Sequence, residues 1–117
     1  MLFTLSTTAY AATGWFNSTY NFTNQLDTRE LVFRNNNPTI RASINPTQGR
    51  AGHLITATLQ RSVFLGWSNH GARTINSVTG GNFSQWSPGQ SGTYRIRLTQ
   101  NSGSTMSGEI TVDWTDR

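Results

Sequence analysis

The stretch Thr93-Tyr94-Arg95-Ile96-Arg97-Leu98-Thr99, followed by Gln100-Asn101-Ser102-Gly103-Ser104-Thr105 and then Glu109-Ile110-Thr111-Val112-Asp113-Trp114, decides the class of this protein. Tyr94, Ile96 and Leu98 alternate with Arg95, Arg97 and Thr99. Ile110, Val112 and Trp114 alternate with Glu109, Thr111 and Asp113. Side chains on an extended strand point to opposite faces with period two, so each run carries one apolar and one polar face. A polar, glycine-bearing turn between two such runs predicts an antiparallel hairpin, one face on a core and one in water. The fold class expected is therefore all-β. In that hairpin Ile96 would face Val112, and Arg95 would lie opposite Asp113, where an exposed ion pair adds only about 0.2–1 kcal/mol.

The rest of the chain has the same character. Helical periodicity is absent, and no stretch combines a cap, an amphipathic run and a stop. Phe16, Ser18, Tyr20 and Phe22 share one face of a first candidate strand, and Leu31 and Phe33 one face of a second. A third runs through Ile40, Ala42 and Ile44, with Arg41 and Ser43 outward. Asn45-Pro46-Thr47-Gln48-Gly49 is turn chemistry, since proline presets φ and glycine supplies positive φ. A fourth strand has Ile55, Ala57 and Leu59 inward. Val63, Leu65 and Trp67 continue its parity, with Gly66 marking a bend. Ser68-Asn69-His70-Gly71 reads as a loop, Arg73–Val78 as a short strand, and Thr79–Gly81 and Ser87–Gly92 as loops. About seven short strands, nearly all with one apolar face, call for two stacked sheets that bury those faces together. The expected architecture is a two-sheet antiparallel β-sandwich, immunoglobulin-like or jelly-roll-like, formed as one domain over residues 12–117.

Ser91-Gly92-Thr93-Tyr94 resembles the tyrosine corner of immunoglobulin-type sandwiches. The resemblance implies that Tyr94 bonds back to its own loop and that Ile96 stands where those domains place their second cysteine. It covers only this handful of residues, and the cysteine pair is missing.

Composition sets the remaining bounds. A chain of 117 residues suits one domain, and a chain of this size buries roughly two thirds of its unfolded surface, enough for a core without staples. There is no cysteine, which excludes disulfides, zinc–thiolate sites and cysteine nucleophiles, and tilts the source toward bacteria or phage. The formal charge is +4, and all nine basic residues are arginine. Arginine is planar and bidentate, so acidic partners such as anionic cell-wall polymers become more plausible. At the start, Ala9-Tyr10-Ala11 has the small residues of a signal-peptidase site, with cleavage after Ala11, although no basic region precedes it. Residues 1–11 are expected to be a signal-peptide remnant, or else an N-terminal strand. No apolar run is long enough for a transmembrane helix.

Chemistry-bearing residues are sparse. His53 and His70 lack metal-ligand spacing. Glu109 and Asp113 would lie about 13 Å apart along a strand, farther than the roughly 5–10 Å of a glycosidase pair. No serine stands in a Gly-x-Ser-x-Gly elbow. No catalytic residue, metal or other cofactor is expected. The tryptophans are Trp15, Trp67, Trp86 and Trp114; parity sends Trp67 and Trp114 toward the core, whereas Trp86 follows no strand pattern and sits near a turn. Aromatic rings beside amides suit sugar rings, so the ligand-binding candidates are Trp86 first, then Trp67, Asn69, His70 and Arg73. Arg41, Arg61, Arg73, Arg95 and Arg97 lie outward by parity, but no groove-binding motif accompanies them, and nucleic acid is not expected as a partner. Three Asn-x-Ser/Thr sequons, at Asn17, Asn21 and Asn82, carry no weight in a chain this rich in those residues. The expected function is that of a small exported, non-catalytic interaction module at the cell surface, binding a polysaccharide or cell-envelope polymer. The alternative is a self-assembling fibre subunit or membrane-active secreted toxin that exchanges its N-terminal strand.

Overall fold

The computed structural model describes residues 12–117, so the two expectations for residues 1–11 lie outside it. Nine strands follow in chain order: β1 (Ala12–Phe22), β2 (Gln25–Asp27), β3 (Leu31–Phe33), β4 (Thr39–Gln48), β5 (Leu54–Val63), β6 (Gly66–Asn76), β7 (Gly81–Asn82), β8 (Gly92–Thr99) and β9 (Met106–Asp116). They form two antiparallel sheets. The first has the order β1-β9-β4-β7; the second has β2-β8-β5-β6, with β3 also pairing β8. The all-β, two-sheet sandwich is what the alternation called for. Among the described residues no helix is long and apolar enough to cross a membrane.

The period-two stripes meet in the core. Tyr94, Ile96 and Leu98 from β8, Ile55, Ala57 and Leu59 from β5, and Ile110 and Val112 from β9 are all buried, together with Ile40, Ala42 and Ile44 from β4. Trp114 is half-buried and packs against this cluster. It can do so because its strand partner is Gly14: a Cβ there would lie 2.4 Å from the indole Cζ2.

The expected hairpin does not form. β8 and β9 lie in different sheets, and residues 100–105 cross between the layers. Ile96 pairs with Leu59 of β5, while Val112 pairs with Phe16 of β1 and Ala42 of β4. Both stripes face the core from opposite sides, an arrangement that satisfies the same alternation. The crossing is held locally. The Ser102 amide and hydroxyl donate to Gln100 Oε1 at 2.7 and 2.6 Å, and Gln100 Nε2 donates to the Ser104 carbonyl at 2.8 Å. The ion pairs follow the sheets: Asp113 binds Arg41 at 2.8 Å, and Arg95 lies 3.4 Å from Asp27.

Other boundaries move for local reasons. β4 runs through Pro46 to Gln48 with a register irregularity instead of turning. The chain reverses at Phe64-Leu65, with Leu65 at φ 65°, so β5 and β6 are two strands and not one bent strand. Residues 68–71, expected as a loop, belong to β6. β2 and β7 are too short to display a period.

Two buried polar groups lock the ends of the sandwich. Asp116, 7% exposed, accepts from the amides of Arg34 and Asn35 at 3.0 and 3.1 Å, tying the turn after β3 to β9. Ser77 exchanges hydrogen bonds with the backbone of Arg50. The tyrosine corner is formed: Tyr94 Oη donates to the Gln90 carbonyl at 2.7 Å, and burial pushes its phenol pKa up. One buried hydrogen bond contributes about 1 kcal/mol. Tyr94→Phe should therefore lower the unfolding free energy by about that amount in urea titration, with the slope unchanged; an unaltered midpoint would remove the corner from the list of stabilising contacts.

Candidate functional site

The outer face of the second sheet carries the most organised polar surface on the described molecule. Strand alternation puts Asp27 on β2, Gln60 on β5, Trp67 and Asn69 on β6, and Arg95 and Arg97 on β8 on the side away from the core. The register then joins them, since Asp27 stands opposite Arg97, and Gln60 stands between Arg95 and Asn69. Arg97 grips Asp27 with two bonds, Nε to Oδ1 at 2.8 Å and a terminal nitrogen to Oδ2 at 3.2 Å. Arg95 adds a second cation to the same carboxylate. Its Nε donates to Gln60 Oε1 at 2.9 Å, and Gln60 Nε2 donates to Asn69 Oδ1 at 3.0 Å. The Arg95 guanidinium also lies over the Trp67 ring, 3.9 Å from its centroid. Each member is held by its neighbour, so the face is a rigid row of donors beside one indole.

Of the five residues expected to bind a ligand, Trp67 and Asn69 are on this face. His70 faces inward by alternation with Asn69, and the register shift in β6 between the partners of Thr58 and Gln60 turns Arg73 inward as well. His70 packs edge-on against Tyr94 at 6.0 Å and sits 3.1 Å from the Ser68 hydroxyl. Arg73 lies 5.5 Å over the Trp86 ring and donates to the Gln85 carbonyl. Trp86 itself is a correction: it is 1% exposed. Its backbone bridges Ile40, and its indole nitrogen donates to the Gly71 carbonyl at 2.9 Å. A residue outside any long strand can still complete a core when it caps the edge of one, as Trp86 caps β4. Trp67, which parity sent to the core, faces out because the two-residue reversal at Phe64-Leu65 resets the count.

Asp27 and Gln60 were missed. Asp27 lies in a three-residue strand, and Gln60 becomes conspicuous only once Arg95 and Asn69 are known as its neighbours. The Arg95-x-Arg97 pair on one face was visible from parity. Arg61, by contrast, points to the inner side and donates to the Ser91 carbonyl at 2.9 Å.

Two further features complete the surface. On the first sheet, Trp15 is 69% exposed and shares a row with the Arg41–Asp113 pair. Between the layers, Phe16, Leu26, Leu98 and Ile110 floor a cleft of about 260 Å³, rimmed by Ser18 and Arg29. Ser18, expected inward, is exposed there. Among the described residues no three acidic or histidine side chains gather as a metal site would need.

No protein-family model matches the chain, and no curated protein matches its sequence. Among solved structures, the crystal structure of the Yersinia pseudotuberculosis-derived mitogen is similar, with a TM-score of 0.50 and 12% identity over 89% of this chain and 86% of the other. A likeness at that identity concerns the fold.

The Asp27 cluster has a pH signature. The hydrogen bond from Arg97 holds the Asp27 pKa below its ordinary value, against the opposing effect of burial, with the charge of Arg95 assisting. A carboxylate depressed in the folded state binds fewer protons there than when unfolded. Its stabilisation is present above the usual carboxylate range and is lost as pH falls below about 4 through the lowered value. Urea midpoints of the wild type should thus drop more between pH 6 and pH 2.5 than those of Asp27→Asn. Equal drops would show that the pair contributes nothing.

Proposed function

We propose that this protein is an exported, non-catalytic contact module that holds an anionic polysaccharide or cell-envelope polymer against the outer face of its second sheet. The observation carrying this reading is the Arg95–Arg97 pair sharing one carboxylate, Asp27, beside the Trp67 ring. Two guanidiniums against one carboxylate leave a net positive charge, in line with the +4 of the whole chain. Guanidinium planes bind carboxylates and phosphates bidentately. The amides of Gln60 and Asn69 supply the donors and acceptors that sugar hydroxyls need. Because the cluster is ordered by its own bonds, a polymer landing on it loses little by way of side-chain freedom.

Support for a non-catalytic role is that Asp27 and Asp113 are each engaged by arginine, on opposite outer faces of the sandwich. Export rests on Ala9-Tyr10-Ala11 and on a neutral-polar surface without cysteine. The mitogen with the similar fold agrees with a protein that works by touching cells, but architecture alone links the two.

A second reading, self-assembly, is favoured by one observation. Among the described residues β1 is an edge strand of 11 residues, Ala12–Phe22, paired along its length with β9 and free of charge and proline. Edge strands left without such blocking residues invite a further strand. It needs no strand exchange, since β1 already completes its own sheet.

The test is retention on an immobilised acidic polysaccharide against a neutral glucan, with sedimentation of the free protein alongside. Wild type should be retained by the acidic polymer and released by salt. Arg95→Ala and Trp67→Ala should each weaken retention about tenfold, as expected for losing roughly 1.4 kcal/mol. Failure of the wild type to bind any acidic polymer would remove the reading, and a concentration-dependent mass without polymer would put self-assembly in its place.

A further inference from the structure

We propose that the turn joining β5 to β6 is a bilayer-docking tip that inserts Phe64 and Leu65 into the interface of an anionic phospholipid membrane. Phe64 is 90% exposed and Leu65 is 89% exposed, and they are neighbours at the end of a hairpin. Single exposed apolar residues are ordinary; two large ones together at a projecting tip are not. Val63, at 40% exposure, extends the apolar tip, and Val32 at 68% lies on the outer face of β3, opposite Thr93 at the same end of the sheet.

The backbone makes the same point independently. Leu65 has φ 65°, the left-handed region where a branched, bulky side chain is strained and glycine or asparagine is the usual occupant. Nothing in the fold requires leucine there, since the side chain touches solvent and not the core. Strain kept at an exposed position points to a use for that side chain outside the molecule.

The surroundings favour lipid as the occupant. The tip is convex and only two residues wide. It is closed by the Val63–Gly66 pair, so the strand backbone behind it is already hydrogen-bonded and enters a less polar medium with few unmet groups. Behind it stands Trp67, paired with Ser62 and two residues from Leu65. At strand rise its Cα sits roughly 7 Å behind that of Leu65, within the depth of the headgroup boundary where tryptophan accumulates. Arg95 stacks on that indole, and Arg97 stands two residues further along the same face of β8. Asp27, on the same face, is already paired with two arginines. An apolar tip, an interfacial indole and cations behind them form the order that an anionic bilayer presents in reverse.

The chain lacks cysteine, so a single introduced thiol reports on one site. Full-length protein is mixed with phosphatidylcholine vesicles and with vesicles containing one quarter phosphatidylglycerol, and bound protein is sedimented. The anionic vesicles should retain the protein at least tenfold better than the neutral ones. A polarity-sensitive dye on Phe64→Cys should shift to the blue with anionic vesicles, while the same dye on Val78→Cys should not. Leu65→Gly separates docking from folding: it relieves the strained φ and should raise the thermal midpoint. Combined with Phe64→Ser, it should cut vesicle binding at least tenfold and leave retention on a soluble acidic polysaccharide unchanged. Absence of sedimentation with either vesicle, a water-like dye at position 64, or full vesicle binding by the Phe64→Ser/Leu65→Gly protein would overturn the proposal.

Discussion

Everything in this molecule depends on burying the stripe Tyr94-Ile96-Leu98 of one sheet against the stripe Ile110-Val112 of the other. These side chains are essentially removed from water. At roughly 25 cal/mol per Å² of apolar area their burial is the main drive for two layers to stack. The chain needs only the short crossing from Gln100 to Thr105 to place consecutive strands in opposite layers. Once β8 and β9 are separated in this way, each must find other partners: β9 is covered by β1 and β4, and β8 by β5 and the short β2 and β3.

That separation also creates the polar face. Had β8 and β9 paired, Arg95 would have met Asp113 and been neutralised one to one. Instead Arg95 and Arg97 both turn to Asp27, while Asp113 is taken by Arg41 on the far side of the molecule. The excess of positive charge on the second sheet, with Trp67 fixed by Arg95, is thus a consequence of topology. The β5–β6 reversal, with a strained leucine at Leu65 just before Gly66, brings Trp67 outward to that face and leaves Phe64 and Leu65 projecting beyond it.

Much of the fold was legible because alternation is a local signal. Ile40, Ala42 and Ile44 of the third expected strand, Ile55, Ala57 and Leu59 of the fourth, and the inward residues of the last two are buried or pack on the core, whereas Val63 and Leu65, which continued the fourth strand's parity, are exposed; the tyrosine corner forms at Tyr94. Pairing was not legible. Parity states which face of a strand meets the core and is silent on which sheet the strand joins, so a hairpin and an inter-sheet crossing read alike. The site suffered more. Trp86 carries no periodic signal, and its burial under Arg73 follows from a bridge to Ile40 distant in sequence. His70 was expected in a loop but lies in β6, where alternation with Asn69 turns it inward, and Arg73 was lost to a bulge, one residue of slippage that exchanges the faces of a strand. Asp27 could be found only through the partner that its short strand meets.

Backbone proton contacts measured by nuclear Overhauser spectroscopy test the separation of β8 from β9 most directly. Cross-strand backbone contacts should join Ile96 to Leu59, and Val112 to both Phe16 and Ala42. A ladder of backbone contacts running directly between residues 94–98 and 110–114 would contradict the account, and the shared grip of Arg95 and Arg97 on Asp27 would fall with it.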